Sequence, residues 1–462
     1  MTNISFLTQL TSLLGSAHVL YGPDTEKWQT DWTGQYRNIP LAVVRPGSTQ
    51  EISAVLALAY ASGIPVVPIS GNTGLTGGSH AVNSLIISLD RMNRVRQIST
   101  EARIAVVEAG VVVDTLNKAA MENDLIFPLS FGATGSAQIG GVLSTNAGGS
   151  NVIRYGNTRE LCLGLEVVMP DGRILDLMQA LPKNNSGLDL KDLFIGAEGQ
   201  IGIITAAIVK LYPRPTCYAT AMVTVNTLEL VPLLFNKLQD ASNGSLLAYE
   251  FMSANFLSCY YDLHPNENEI FCSPYPSCIL IELETSFSQK DISEILQDVL
   301  SDALEEEIVQ DAVIAQNDTQ RQNLWKIREA AAEVAFCKHP VVDTDIAVPL
   351  DKISVYLDLI PLRMKAIDPD YTDIAVAHLG DGNIHYTVWP SKTDEALCSA
   401  IRTAIDDLAV ELGGTFSAEH GVGLCKLDSM QKHKNPVALE VMRSIKSALD
   451  PKNLLNPGKT IP

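Results

Sequence analysis

The sequence predicts an α+β protein built from more than one domain. Its 462 residues are enough for two or three hydrophobic cores. The first half alternates predicted strands and helices around two glycine-rich stretches. From about Cys217 the pattern changes to strand, helix, strand, strand, helix, strand, which is a β-α-β-β-α-β type of arrangement. The sequence Tyr212-Pro213-Arg214-Pro215 therefore marks the expected boundary.

The chain begins with a predicted β-α-β unit. Residues 41–44 have the composition of a buried strand, and Ser48 and Glu51 form a capping-box pair that opens a helix ending at Gly63. A second strand, residues 64–69, leads into the first glycine-rich stretch. Further strands are expected over residues 85–89, 104–108, 165–169, 174–177 and 201–209, with helices over 6–14 and 113–123.

Both glycine-rich stretches are candidates for binding a phosphate-containing ligand. Residues 71–78 contain four Gly directly after a strand. Because Gly adopts positive φ and has no Cβ, successive N–H groups can converge on an anion. The stretch matches neither the P-loop nor the dinucleotide fingerprint, so a simple glycine-rich turn is the alternative. The second stretch, residues 128–149, is rich in Gly, Ser and Thr. Two such loops in one unit favour an extended nucleotide cofactor over a single phosphate.

The second half carries the remaining predicted elements. Strands are expected over residues 219–225, 247–252, 278–284 and 308–315, and helices over 231–240 and 293–305. A helix over 321–336, a strand over 345–348, a helix over 353–367, a hairpin and a last long helix over 394–412 follow.

The hairpin carries the chemistry. Asp381-Gly382, flanked by alternating apolar residues, predicts a two-residue type I′ turn. That register places His378 directly opposite His385, with Cβ atoms roughly 4.5–5.5 Å apart. Two imidazoles at that separation can hold one metal ion, although a surface hairpin with two His is the alternative. Glu419 is the natural third ligand for Zn, Mn or Fe. His420 then lies beside the metal as a candidate base, the alternative being that this pair caps a turn.

Composition excludes several classes of function. The formal net charge of −20 argues against nucleic acid and anionic membrane surfaces as partners. Eight dispersed Cys without a C-x-x-C pair indicate a reduced intracellular protein and no iron–sulfur cluster. The first basic residue is Lys27, and no apolar run reaches the roughly 18 residues of a membrane span. We therefore expect a cytoplasmic protein without a signal or transit peptide.

Three motifs resemble one known family. They are Pro-x-x-Gly-Asn-Thr-Gly-x-x-Gly-Gly from Pro68, His-x-Gly-Asp-Gly-Asn-x-His from His378, and Glu-His-Gly-x-Gly from Glu419. Together they resemble the FAD-linked oxidases of the vanillyl-alcohol oxidase/p-cresol methylhydroxylase fold. The similar branch holds D-lactate dehydrogenase, the glycolate oxidase flavoprotein subunit and D-2-hydroxyglutarate dehydrogenase.

The resemblance implies a domain plan. A two-subdomain FAD-binding domain of the p-cresol methylhydroxylase type would span residues 1–215. A substrate-binding or cap domain with an antiparallel sheet and helices would span 216–412, and a C-terminal segment, 413–462, would return to the flavin.

The resemblance also implies roles for matching residues. His378, His385 and Glu419 would bind a divalent metal, most simply zinc, His420 would be the base, and Arg328 and Asn383 would contact the substrate. FAD would be bound non-covalently by Ser70, Gly71, Asn72, Thr73, Gly74, Leu75, Gly77, Gly78, Pro128, Gly132, Thr134, Gly135, Ser136, Gly140, Gly141, Asn146, Gly148, Gly149 and Asn456.

The implied reaction oxidises a D-2-hydroxy acid, D-lactate-like or D-2-hydroxyglutarate-like, to the 2-oxo acid. Hydride would pass to FAD, and electrons to an external acceptor such as an electron-transfer flavoprotein, a quinone or a cytochrome. The oligomeric state is open, with a homodimer as one option. The alternatives are a metal oxygenase without flavin and a flavin-binding electron carrier without turnover.

The chain departs from the 2-hydroxyglutarate-type members at two positions. Asp343 stands where those members usually carry a Lys, two residues before Asp345 in the strand motif. Ala332 stands where a hydroxyl residue is common. A carboxylate at residue 343 should repel a second substrate carboxylate, which favours D-lactate or another monocarboxylate.

Overall fold

The computed structural model describes residues 3–37, 39–225, 227–272, 276–286 and 292–462. The first half contains two sheets and a short ribbon. Its strands are β1 (Val19–Leu20), β2 (Ala42–Val44), β3 (Val66–Ile69), β4 (Leu85–Ser88), β5 (Val95–Ser99), β6 (Ile104–Glu108), β7 (Leu125–Ile126), β8 (Cys162–Val168), β9 (Ile174–Leu177), β10 (Ile203–Lys210) and β11 (Tyr212–Pro213). Its helices are α1 (Asn3–Leu14), α2 (Thr49–Ser62), α3 (Val113–Met121), α4 (Ile139–Thr145), α5 (Val152–Tyr155), α6 (Thr158–Leu161) and α7 (Lys191–Phe194).

The two sheets of the first half differ in strand direction. The first has the order β1-β2-β4-β3, in which β2, β4 and β3 are parallel. The second has the order β5-β6-β10-β8-β9 and is antiparallel throughout. Strands β2 and β3 run parallel on either side of β4, and α2 provides the crossover that connects them, as the sequence predicts. Ser48 Oγ accepts the N–H of Glu51, and Gly63 ends the helix with φ 66°.

The second half is organised by one seven-stranded antiparallel sheet. Its order is β15-β12-β14-β13-β17-β18-β16. These strands are β12 (Cys217–Val225), β13 (Leu246–Met252), β14 (Ser277–Thr285), β15 (Asp311–Ile314), β16 (Val342–Ala347), β17 (Thr372–His378) and β18 (Asn383–Trp389). The helices are α8 (Val231–Ser242), α9 (Ala254–Leu263), α10 (Ile292–Glu305), α11 (Asp318–Glu329), α12 (Ala331–Ala335), α13 (Ile353–Ile367), α14 (Glu395–Glu411), α15 (Leu427–His433) and α16 (Pro436–Leu449).

The two faces of this sheet have different surroundings. Helices α8, α10, α13 and α14 pack on one face around a large apolar core. On the other face, α9, α11 and α12 cover an apolar patch that includes Met252, Val376 and Trp389. Beside that patch, Glu250, His378, His385 and Asp345 occupy the same face, because each cross-strand pair shares it. This polar region faces the first half of the chain.

Several sequence-based expectations for the second half are wrong. Helix α9 lies between β13 and β14, where two consecutive strands are predicted. The helix predicted over residues 321–336 is divided into α11 and α12 at Ala330. The helix predicted as the last one, α14, is followed by α15 and α16. Within α16, Leu439 and Lys446 are buried, and Met442, Ile445 and Leu449 pack partly buried against neighbouring apolar clusters.

The C-terminal residues pair with the first half. Leu454 O accepts the N–H of Val66 at 2.7 Å, and Asn456 N donates to Val66 O at 2.8 Å. Lys446 Nζ donates to Asp450 Oδ2 and to the carbonyls of Gln200 and Leu455. The chain end is therefore fastened beside β3, next to the first glycine-rich stretch.

Candidate active site

The hairpin between β17 and β18 has a different register from the predicted one. His378 pairs with Asn383, and His385 pairs with Val376, so a four-residue loop replaces the expected two-residue turn. The N–H groups of Asp381 and Gly382 both donate to His378 O, and Gly382 has φ 84°. His378 and His385 are therefore diagonal rather than directly opposed. Because the shift is two residues, both rings stay on one face, with centroids 5.4 Å apart.

Asp345 positions the segment that carries Glu419 and His420. Its Oδ2 accepts the backbone N–H groups of His420 at 2.8 Å, Glu419 at 3.1 Å and Ala418 at 3.2 Å. Lys426 Nζ lies 3.2 Å from the same oxygen. Asp345 is fully buried on β16 opposite His385. Together these bonds bring Glu419 and His420 over the two hairpin imidazoles.

The side-chain donor atoms of Glu419 and the three imidazoles lie close together. Glu419 Oε1 lies 3.4 Å from His385 Nε2, 3.9 Å from His378 Nε2 and 3.7 Å from His420 Nε2. Zn–N bonds of about 2.0–2.1 Å in a tetrahedral site put neighbouring ligand atoms roughly 3.3 Å apart. The separations therefore fit ligands grouped around one small cation.

The charges around Glu419 also fit a metal ion. Glu250 is paired with Arg328, and Asp345 is paired with Lys426. Among the described residues, the ion-pair partners of Glu419 are three imidazoles. Burial raises the pKa of Glu419, but the hydrogen bond from His385 and the neighbouring imidazoles hold it at about 2. Imidazole and carboxylate are also the ligand types that zinc takes in proteins.

A second donor set overlaps with the predicted one. Ligand atoms of Asp345, His385, Glu419 and His420 all lie within 4.8 Å of one another. We prefer His378 to Asp345 as the third ligand, because the Asp345 oxygens already accept from three backbone N–H groups, Lys426 and Asn383. Asn383 lies behind Asp345, where its Nδ2 donates to Asp345 Oδ1 and to Ile346 O. This places the side chain of Asn383 against β16, and Asn383 does not line the adjoining cavity.

Glu250 is a functional candidate that sequence reasoning missed. It is fully buried on β13, opposite His378. Its Oε1 lies 2.9 Å from His378 Nδ1, and its Oε2 accepts from Arg328 Nε at 2.8 Å. Burial lowers the pKa of His378, but the Glu250 carboxylate outweighs this effect and raises it to about 9. The sequence did contain a signal for this residue, because Glu250 is the one charged residue in the apolar segment that forms the wholly buried strand Leu246–Met252.

One cavity joins this cluster to the glycine-rich stretches. Its volume is about 530 Å³, and Arg328, His378, His385, Glu419 and His420 line one part of it. The other part is lined by predicted cofactor residues: Ser70, Gly71, Asn72, Thr73, Gly74, Leu75, Gly78, Gly132, Ser136, Gly140, Gly141, Gly148, Gly149 and Asn456.

Five predicted cofactor residues lie elsewhere. Pro128 and Thr134 line a second, adjacent cavity. Gly77 lies under the ring of Tyr36, the Asn146 side chain accepts the N–H of Arg159, and a Cβ at Gly135 would face Asp114. None of these five residues lines the main cavity.

The cavity wall fits a large polar cofactor. Ser70 Oγ and Gln138 Oε1 are buried, line the cavity and have no hydrogen-bond partner in the protein. Such buried polar atoms normally find a partner, which a bound ligand can supply. Gly149 has φ 116°, and a Cβ there would collide with Ser130 O. Because Gly149 has no Cβ, its backbone can pack directly against Ser130, and no side chain at this position takes up space that a broad ligand could fill.

Protein-family models match both halves of the chain. A model described as an FAD binding domain matches residues 40–178, and one described as the C-terminal domain of FAD linked oxidases matches residues 214–460. The D-2-hydroxyglutarate dehydrogenase of Xanthomonas citri pv. viticola is 34% identical over 442 residues, which cover 94% of this chain and 92% of the relative. The mitochondrial D-2-hydroxyglutarate dehydrogenase of Rattus norvegicus is 35% identical over 443 residues, which cover 95% of this chain and 82% of the relative.

Solved structures agree on the fold. The crystal structure of p-cresol methylhydroxylase with substrate bound superposes with a TM-score of 0.74 at 15% identity, covering 99% of this chain and 96% of that chain. The fold and the cavity thus define a flavin-dependent oxidoreductase. The chain belongs to the FAD-linked oxidase family, on the vanillyl-alcohol oxidase/p-cresol methylhydroxylase fold, as its motifs predict. This membership sets aside the oxygenase without flavin.

Within the described residues, no helix combines the length and the apolar character that crossing a bilayer requires.

Proposed function

We propose that this chain oxidises a D-2-hydroxy acid to the 2-oxo acid, with non-covalent FAD as hydride acceptor and a divalent metal ion as an aid. The observation that carries the proposal is the single cavity lined by both the glycine-rich stretches and the His378, His385, Glu419 and His420 cluster. The names of the curated relatives support the D-2-hydroxy acid class.

When bound, FAD supplies an oxidant for the C2–H bond and the metal supplies a Lewis acid that makes the 2-hydroxyl more acidic. His378, His385 and Glu419 would hold the metal. Two imidazoles and one carboxylate suit zinc, and manganese or iron also accept this set. Glu250 would fix the ring orientation of His378 by holding the proton on Nδ1, which leaves Nε2 as the ligand atom.

His420 is proposed as the base that takes the hydroxyl proton. Its Nδ1 lies 3.9 Å from Asp345 Oδ2, while Nε2 lies 3.7 Å from Glu419 Oε1. With Glu419 engaged as a metal ligand, the Asp345 carboxylate would favour the tautomer with the proton on Nδ1. Nε2 then offers a lone pair on the side of the metal ligands, where the substrate hydroxyl would lie.

Arg328 is proposed to bind the C1 carboxylate of the substrate. It lines the cavity, and its bonds within the protein run through Nε and Nη2 to Glu250, with Nη2 also 3.5 Å from His378 Nε2. This leaves Nη1 for the substrate. The guanidinium geometry suits a carboxylate, and the Glu250 contact prevents the side chain from rotating away.

Reoxidation of FAD would need an external acceptor: an electron-transfer flavoprotein, a quinone or a cytochrome. The eight Cys lack the spacing of an iron–sulfur centre that could carry electrons within the chain. The cytoplasmic location, the homodimer and the domain bounds 1–215, 216–412 and 413–462 also remain proposals. The rat relative is named as mitochondrial, so location varies among relatives.

Anaerobic flavin reduction tests the proposed reaction. We expect D-2-hydroxy acids to bleach the flavin absorbance of the FAD-loaded protein, and their L isomers to leave it unchanged. His420→Asn should slow this reduction by roughly 100- to 10,000-fold, the range of general base catalysis, with FAD content unchanged. A flavin that no D-2-hydroxy acid reduces would remove the proposal.

Metal assistance is tested with three His variants. His378→Ala and His385→Ala should abolish reduction and prevent metal retention while FAD stays bound. His433→Ala is the matched control, because His433 pairs with Asp407 outside the cavity, and it should reduce flavin at the normal rate. Normal activity in both ligand variants would show that no metal at this site takes part.

A further inference from the structure

We propose that this chain selects D-2-hydroxy monocarboxylates with an apolar side chain and rejects a second carboxylate. This inference rests on the proposed function, and it concerns the end of the cavity where the substrate side chain would lie. The names of the relatives specify D-2-hydroxyglutarate, which carries two carboxylates. The charges in this cavity oppose such a substrate.

The geometry of β16 and β18 locates the side-chain end. Asp343 pairs with Thr387, one step along the same face from the pair of Asp345 and His385. Two residues along a strand span roughly 6.6 Å. A substrate whose C2 hydroxyl lies at His385 and His420 can therefore place its fourth and fifth carbons beside Asp343.

A carboxylate occupies that end. Asp343 and Thr387 both line the cavity, and Thr387 Oγ1 donates to Asp343 Oδ1 at 2.7 Å. This bond fixes the Asp343 carboxylate on the cavity side of the sheet but leaves its charge in place. A second substrate carboxylate would meet this charge directly.

Among the described residues of the cavity wall, no second Lys or Arg side chain compensates for the charge of Asp343. Arg328 is the only Lys or Arg residue among the described residues that line the cavity. It is assigned to the C1 carboxylate and is already paired with Glu250. Arg402 donates to the backbone oxygen of Asp343, and Lys338 lies over the ring of Trp389, but neither lines the cavity.

Most of the other residues at this end are apolar, although Glu329 also lines the cavity. Ile374 lies opposite Thr387 on the neighbouring strand, and Val376 lies opposite His385. Across the cavity, Trp325, Ala331, Ala335 and Phe336 come from α11, α12 and the residue after it. Trp32 contacts Phe336 with ring centroids 5.7 Å apart and also lines the cavity. These walls suit an aliphatic or aromatic substrate side chain.

A substrate panel tests the selectivity with the FAD-loaded protein. We would compare kcat/KM for D-lactate, D-2-hydroxybutyrate and D-2-hydroxyisocaproate with that for D-malate and D-2-hydroxyglutarate. We expect the best monocarboxylate to exceed the best dicarboxylate by roughly 100-fold, the size of a like-charge contact at about 5 Å. A dicarboxylate within about tenfold of the best monocarboxylate, or better than it, overturns the inference and leaves the proposed function intact. Flavin reduction by no member of the panel contradicts the proposed function itself.

Asp343→Asn tests the residue assigned to the rejection. It keeps the size of the side chain and removes the charge, so the preference for monocarboxylates should fall by about tenfold or more. Asp358→Asn is the matched control, because Asp358 is exposed on α13 and outside the cavity, and it should leave the preference unchanged. An unchanged preference in Asp343→Asn, or an equal change in Asp358→Asn, overturns the role of Asp343.

Discussion

Glu250 is a buried side chain that orients two others, His378 and Arg328. A carboxylate without access to water is unfavourable unless it is paired and hydrogen-bonded. His378 and Arg328 provide both partners, one to each carboxylate oxygen. In return, the orientation of a proposed metal ligand and that of a proposed substrate-binding residue depend on the same group. The proposed function therefore depends on Glu250, a residue that is not itself one of the proposed metal ligands.

Replacing Glu250 should separate metal binding from flavin binding. Glu250→Gln keeps the shape of the side chain but removes the charge that orients His378. We expect zinc affinity to fall by about 10- to 100-fold, as is usual when a residue supporting a metal ligand is changed. FAD content should not change. Competition with a chelator measures the zinc affinity, and absorbance measures the flavin.

The matched control for this change is Glu282→Gln. Glu282 is equally buried on the same sheet, but its partners are Arg321, Trp325 and Thr220. This variant should lower thermal stability and leave zinc affinity unchanged. Equal losses of affinity in the two variants would show that Glu250 acts through general stability alone.

Lys459 gives the protein a pH-dependent stability. Burial lowers its pKa from 10.5 to about 7, although Glu198 opposes the shift. Between these two values the unfolded chain holds a proton on Lys459 that the folded chain lacks, so stability rises with pH across this window. Lys459→Met should therefore gain free energy of unfolding relative to the parent as pH falls from about 10 to 7, with no further gain below about 7. Denaturant unfolding at several pH values measures this difference, and a difference independent of pH would contradict the assignment.

At the scale of one element, the capping residues of helix α2 determine where the helix begins and ends. Its first turn is closed by Ser48 Oγ, and the Glu51 carboxylate accepts the N–H of Gly47 at 2.7 Å. Gly63 ends the helix in the left-handed region. Start and end agree with the prediction because the capping residues act within one turn of the helix.

Removing this cap should destabilise the first sheet. Ser48→Ala should lower the free energy of unfolding by about 1 kcal/mol, because the N–H of Glu51 loses its acceptor. Gln50→Ala, at an exposed position in the same turn, should change it by less than about 0.5 kcal/mol. Denaturant unfolding measures both. A loss in Gln50→Ala as large as that in Ser48→Ala would rule out the cap as the cause.

At the scale of the whole molecule, both halves of the chain build the candidate active site. Glu198 comes from the first half, and its two oxygens accept the N–H groups of Val422 at 2.8 Å and Gly423 at 2.9 Å. Thr76 O accepts from Leu424 N at 2.8 Å. The segment that begins with Glu419 and His420 is thus attached to Asp345 on one side and to the FAD-binding domain on the other.

Glu198→Gln should weaken this attachment. An amide offers one oxygen where the carboxylate offers two, so one N–H loses its acceptor and stability should fall by about 1–3 kcal/mol. Flavin reduction by substrate should also slow, because His420 lies two residues before Val422. Glu166→Gln, which disturbs bonds to Thr49 and Thr205 within the first half, should lower stability but leave the reduction rate unchanged. Thermal denaturation and stopped-flow absorbance give the two readings, and normal reduction in Glu198→Gln would contradict the coupling.

Features that depend on local chemistry can be predicted from the sequence of this protein. The bounds of α2, both glycine-rich stretches, the hairpin and the Glu419-His420 pair follow from capping residues, glycine content and the Asp381-Gly382 dipeptide. The family motifs add FAD, which the family models confirm. The tertiary structure decided the rest, because its partners are distant along the chain. Glu250 lies 128 residues from His378 and 78 from Arg328. The hairpin register was also decided there, since a shift of two residues keeps every side chain on its face and leaves the sequence pattern unchanged.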